Sequence, residues 1–168
     1  NVVGKFQIRA GTEIVIDLHD DVEESMIRLP LLGPVLALVL HQRSHFILHA
    51  SAVVIGGAAA LFTAASGQGK STTAATLYSR GHRLMTDDVS AIVLPKAGPP
   101  MLLPGFPRVK LWPESVTPAT QEDPKNLEPI NQAVEKLTCA TVENFCQEPI
   151  PIGRIYKLAA GEVDSPQI

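Results

Sequence analysis

The residues best equipped for chemistry are Ala64-Ala65-Ser66-Gly67-Gln68-Gly69-Lys70-Ser71. They match the pattern G-x-x-x-x-G-K-[ST] at every fixed position but the first, where Ala64 is still small enough to make the opening bend. Gly67 and Gly69 let the backbone turn its N–H groups inward with no Cβ in the way. The positive N-terminal end of a following helix adds to the same anion site. Lys70 brings a cation to the β- and γ-phosphates, and Ser71 offers a hydroxyl to Mg²⁺. Ser66 to Thr72 is therefore expected to hold a nucleoside triphosphate, ATP with Mg²⁺. An apolar stretch, Ala58 to Thr63, enters the loop and a helix-forming stretch leaves it, the context such a loop requires.

Two carboxylates, Asp87 and Asp88, follow Lys70 by 17 and 18 residues. Adjacent residues at a strand end point to opposite sides and can take different tasks. One can serve Mg²⁺ while the other accepts the proton of an incoming hydroxyl. His49 precedes the loop on a strand-like run, where a lone histidine beside apolar neighbours is more often a satisfied structural residue than a catalytic one. Arg108 and Lys110 alternate on a short strand and can face one side. Either could stabilise charge where the γ-phosphate departs. Lys110 beside Trp112 could equally be surface charge over an indole, and Lys136 and Arg154 are weaker candidates for the same task.

These groups need elements to carry them. Lys5 to Ala10 and Glu13 to Leu18 read as a β-hairpin, and Leu31 to Gln42, apolar all round, as a buried helix. Phe46 to Ile55 and Ala58 to Thr63 read as strands around Gly56-Gly57, followed by a helix from Ser71 to Arg80 that Gly81 stops. Arg83 to Met85 and Val89 to Leu94 read as strands flanking the acid pair. Nine of the fourteen prolines fall between Pro95 and Pro129, so that stretch reads as loops with a short strand at Val109 to Trp112. Glu128 to Lys136 reads as a short helix and Ile155 to Leu158 as a last strand. The chain closes on Asp164 to Ile168 with no terminating helix, which suggests that the ordered part stops early.

The totals bound the function. With 168 residues, 45% hydrophobic and 18% charged, the chain suits one globular domain. A net charge of −3 gives no general attraction to nucleic acid or to an anionic membrane. The apolar run Leu29 to Leu40 is short for a bilayer and is interrupted by Pro30, Gly33 and Pro34. Cys139 and Cys146 are too few for a disulfide scaffold or a zinc site and suit a buried, reduced state, so a cytoplasmic setting is expected.

Leu48-His49-Ala50-Ser51-Ala52-Val53, the loop Ser66 to Ser71, and Arg80-Gly81-His82-Arg83-Leu84-Met85-Thr86-Asp87-Asp88 together resemble the HPr serine kinase/phosphorylase family. The resemblance implies that Asp87 is the general base or acid, that His49 lies close to it, and that Asp88 supports the metal. Thr72 stands where HPr enzymes carry an acidic residue. Their Glu-x-Arg-Gly signature is replaced by Pro104-Gly105-Phe106-Pro107-Arg108-Val109-Lys110-Leu111-Trp112-Pro113. That stretch resembles small stand-alone HPr-kinase-like proteins, some of which phosphorylate a serine of lasso-peptide precursors.

The resemblance implies an α/β fold of the HPr kinase/phosphoenolpyruvate carboxykinase type, a mixed sheet with flanking helices. It further implies a homo-oligomer and one catalytic domain over 1–168. Within that domain, 1–45 forms a hairpin and helix, 46–95 the nucleotide-binding core and 96–168 a loop-rich part. The expected activity is transfer of the γ-phosphate of ATP to a serine of a peptide or small protein. A free-serine kinase and a non-catalytic ATP-sensing module are the alternatives. The loop reading predicts that Lys70→Ala abolishes ATP binding, and unchanged affinity in calorimetry would overturn it.

Overall fold

The computed structural model describes residues 3–131 and 134–159, so the closing segment Asp164 to Ile168 lies outside the described residues. The expected hairpin forms from β1 (Gly4–Arg9) and β2 (Glu13–Leu18). The expected buried helix is longer and less buried than its composition suggests. It runs as α1 (Glu24–Pro30), a π-helical turn (Leu31–Val35) and α2 (Leu36–Gln42), with Gly33 at φ −111° and ψ −105° and Pro34 breaking the axis. A glycine–proline pair is an ordinary cause of such a kink.

Only Val35 and Val39 of this stretch are buried, while Leu38 is 51% exposed. At 19 residues with a mean hydropathy of 1.3, Glu24–Gln42 has the length and composition to cross a bilayer, which the shorter run Leu29 to Leu40 did not. Its apolar side chains have another destination, described below.

The central sheet has seven strands among the described residues, in the order β3 (Phe46–Leu48), β7 (Ser90–Val93), β8 (Met101–Leu102), β12 (Ile150–Lys157), β5 (Ala58–Thr63), β4 (Ala50–Ile55), β6 (Leu84–Thr86). Only β12 and β5 run parallel, so the sheet is mixed, as expected. Its two ends are halves of the same two chains: β3 continues into β4 through His49, and β6 into β7 through Asp87 to Val89. The pairs Leu48↔Ser90 and Ala52↔Thr86 share one register, so a single long ladder is broken in its middle. Counting across the break sets His49 opposite Val89, Ala50 opposite Asp88 and Ser51 opposite Asp87. The sheet curls because the two halves of each bent strand join different neighbours.

Strand directions gather the site. β4 is antiparallel to both β5 and β6, pairing Ala50 with Thr63 and Ala52 with Thr86. The C-terminal ends of β5 and β6 and the start of β4 therefore share one edge. α3 (Lys70–Ser79) and α4 (Pro113–Thr120) cover one face of this sheet over a core of Val53, Phe62, Ala74, Leu84 and Val116. Ala52, Leu61, Met85 and Leu102 fill a second core on the other face. Alternate residues of β4 serve opposite cores, which explains a strand apolar at nearly every position.

Two sequence expectations change in the C-terminal part. The described residues of Glu128 to Lys136 form strands, not a helix: β10 (Glu128–Asn131) and β11 (Val134–Ala140) pair antiparallel, and β11 continues the sheet onto β9 (Arg108–Leu111). Leu137 and Cys139, two residues apart on β11, pack into the core beneath α3 and α4, and this tertiary pairing outweighs the local helical bias of Glu135 and Lys136. The proline-rich stretch also holds α4, which starts on Pro113 at the first helical position, where a missing N–H costs nothing.

Gly105 fits the back of the ladder break. Its N–H donates to Met85 O, and a Cβ there would collide with the Thr86 side chain, whose Oγ1 donates to Val89 O at 2.7 Å. Gly105→Ala is expected to destabilise the fold by about 1–3 kcal/mol, as overpacking does. An unchanged midpoint in urea unfolding would contradict this.

Candidate functional site

The loop leaves β5 and turns through Gly67 (φ +79°) and Gly69 (φ +84°). A Cβ at either would meet nothing within 4 Å, so their left-handed conformation, not crowding, calls for glycine. Gly69 caps α3, and no side chain caps the first turn, leaving N–H groups directed at the space above the loop. Lys70 is 6% exposed, and its Nζ donates to Ala64 O and Ala65 O at 3.1 and 3.2 Å. Ser66, Gly67, Gly69, Lys70, Ser71 and Thr72 line one cavity of about 880 Å³, and the Gln68 side chain lies outside it.

At the cavity floor the broken ladder brings up Asp88, which lines it, while Asp87 lies just behind, in contact with the lining residues Ser71 and Lys110. Asp87 Oδ1 accepts from Ser51 Oγ at 2.6 Å and from Ser71 Oγ at 2.8 Å, while Oδ2 accepts from the Lys110 backbone N–H at 3.0 Å. Burial raises the proton affinity of Asp87 above the ordinary carboxylate range, and the neighbouring charge of Asp88 adds to this. The three hydrogen bonds oppose the shift without cancelling it.

Asp88 adopts φ +69°, and Val89 N–H donates to Asp87 O at 2.9 Å, closing a three-residue turn around it. Non-glycine residues seldom occupy this region, which costs on the order of 1–3 kcal/mol. The turn changes the expected placement of the pair. Instead of pointing to opposite sides as strand neighbours would, both carboxylates reach Lys110, Asp87 its backbone and Asp88 its ammonium, at 2.8 Å. Burial works to raise the proton affinity of Asp88. The hydrogen bond and charge of Lys110, with the charges of His49 and Lys136, outweigh it and hold the carboxyl below its ordinary range.

His49 lies at the same break, with Nδ1 donating to Asp88 O at 3.0 Å. Lys110 points into the site. Arg108, on the same face of β9, does not line the cavity and lies over the Phe106 ring at 5.4 Å. The cation over Trp112 is Lys136, at 5.3 Å. Burial, with Glu122 and Asp87 nearby, pushes the Cys139 thiol up to about 11, which keeps it neutral.

Ser51 was not singled out by its type or spacing. It is fully buried and opposes Asp87 in the register, a relation visible only once Phe46 to Ile55 and Leu84 to Val93 are paired.

No family model matches the sequence, and no curated protein matches it. Among solved structures, the chain is similar to the HPr(Ser) kinase/phosphatase from Coxiella burnetii, with a TM-score of 0.48 and 16% identity over 73% of this chain and 70% of that one. At that depth of similarity, the chemistry of the site rests on its own geometry.

Opposite pH dependences are expected of the two acids. A raised folded pKa means Asp87 contributes stability at low pH that is lost as pH rises through that value. Asp87→Asn should therefore unfold later than wild type at neutral pH, the gain shrinking on acidification. Asp88 contributes stability above its unfolded value, lost as pH falls through its lowered folded value. Asp88→Asn should cost about 1–3 kcal/mol at neutral pH and less in acid. Urea unfolding at several pH values measures both, and slopes of the same sign would contradict the assignment.

Proposed function

We propose that this protein is an ATP-dependent kinase that transfers the γ-phosphate to a serine hydroxyl of a peptide or small protein. The observation that carries the reading is the 2.8 Å bond between Ser71, at the mouth of the loop, and the Asp87 carboxylate. A Gly-Lys-Ser loop alone indicates phosphate binding. A carboxylate of raised proton affinity in contact with that loop gives an incoming hydroxyl somewhere to place its proton.

The residues fit the nucleotide and its ion. The positive-φ glycines, the uncapped first turn of α3 and the open space above them form a cradle for phosphate oxygens. Among the described residues, no group of three or more His, Cys, Asp or Glu could hold a metal alone. That suits Mg²⁺, which is held by one or two protein groups with phosphate oxygens and water completing the shell. Ser71 Oγ and Asp88 would take part, and the bound ion supplies charge neutralisation between the phosphates.

The chain's own residues then divide the work. Lys70 would exchange the Ala64 and Ala65 carbonyls for phosphate oxygens. Ser71, on turning its hydroxyl to the ion, releases Asp87 Oδ1, which gains a free lone pair facing the loop. Asp87 takes the proton of the serine hydroxyl as its oxygen bonds to the γ-phosphorus and the bond to the β-bridging oxygen breaks, leaving ADP. Ser51 and the Lys110 amide hold the Asp87 carboxylate in place throughout. Asp88 stays ionised beside Lys110, whose ammonium faces the cavity where negative charge is transferred.

Intact-mass detection of transfer from ATP-Mg²⁺ to HPr, serine-ended peptides and free serine tests the proposal, with Asp87→Asn as control. Transfer lost in the control is expected; tight ATP binding with no transfer to any acceptor would overturn it. Lys110→Ala should keep ATP affinity and lose about 10²–10³-fold in transfer rate.

A further inference from the structure

The cavity above the loop has an end that the phosphates do not need. Beyond Asp88 and Lys110 it continues along Met26, Leu29, Pro34, Ala37, Ile47 and Leu48, with no charged side chain among them. On the kinked helix these residues recur at intervals of three to five and share a face. A second face, Val35 and Val39, packs into the body and holds the helix there. The cavity-side residues are only partly covered. Part of their apolar surface therefore faces the cavity.

The position of this wall favours the acceptor over the nucleotide base. Ile47 and Leu48 run directly into His49, which touches Asp88 O. α2 packs on β3, which runs into the ladder break, and α1 lies against β10, so the wall spans the cavity from the break to the β9–β11 sheet. Thr72, Trp112 and Glu114 line another part, beside α3 and α4, where a base extending from the loop can lie.

We infer, on the kinase reading above, that the acceptor is a peptide whose serine is flanked by large apolar side chains, which lie against this wall while the hydroxyl reaches Asp87. Free serine has nothing to place there. The wall thereby selects for an apolar sequence context, because covering one large side chain favours binding by about tenfold or more.

The test uses the full chain with Mg²⁺ and a non-hydrolysable ATP analogue. It compares two peptides differing only at the serine's neighbours, leucine in one and asparagine in the other, by fluorescence anisotropy. At least about tenfold tighter binding of the leucine peptide is expected. Leu29→Gln should reduce that preference toward unity with affinity for the analogue unchanged. Met26→Gln gives a second reading if Leu29→Gln fails to fold.

Equal binding of the two peptides by wild type overturns the inference. So does a Leu29→Gln or Met26→Gln variant that loses nucleotide affinity instead, since the wall then holds the base. Phosphate transfer is followed separately by intact mass. Preference in binding without transfer overturns the kinase reading and the wall's role as an acceptor site. Transfer without preference overturns the wall alone.

Discussion

A carboxylate surrounded by protein needs donors, and Asp87 obtains three from three different segments: Ser51 on β4, Ser71 at the start of α3 and the Lys110 amide on β9. Burying an ionised acid without such partners costs far more than a single hydrogen bond returns. Asp87 therefore ties the Gly-Lys-Ser loop, the central ladder and the β9 strand to one another. Moving any of the three leaves a buried polar group unmatched. Even with all three, burial and the neighbouring charge of Asp88 keep its proton affinity above the ordinary carboxylate range.

The break in the ladder makes that meeting possible. An uninterrupted pairing of Phe46 to Ile55 with Leu84 to Val93 would place Asp87 and Asp88 on opposite faces of a sheet. The turn at Asp88, strained at φ +69° and fastened by the Thr86–Val89 and His49–Asp88 bonds, folds both carboxylates toward Lys110. The closeness of Gly105 to Thr86 shows how tightly the back of the turn is packed. Local strain is offset by pairing on either side, with Leu48↔Ser90 of β3–β7 and Ala52↔Thr86 of β4–β6 in one register before β4–β6 shifts at Val53.

Charge and apolar surface are segregated within one cavity. Lys70, Lys110 and Asp88 meet at the loop, whereas the kinked helix and β3 contribute only apolar groups. The Gly33–Pro34 kink gives a short helical stretch two working faces, one holding it to the body and one lining the cavity. A straight helix packed flat on the body would have covered the apolar residues and closed that end of the cavity.

The glycine-rich turn at Gly67 and Gly69, its entering strand and its departing helix were legible in the residues, because each depends on short-range spacing and on glycines whose backbone conformation is local. The hairpin and most strands were legible for the same reason. What the sequence could not supply were the relations between segments, Ser51 as partner of Asp87 across the ladder and Lys110 of β9 as partner of Asp88, or the placement of Arg108 over Phe106 and not in the cavity. The β10–β11 pair was hidden too, since strand pairing overrides the local preference of Glu135 and Lys136. So was α4, because prolines mark loops and helix starts alike. The chain by itself determined which groups could do chemistry; only the tertiary structure decided which of them meet, because a strand's register is set by its partner and not by its own residues.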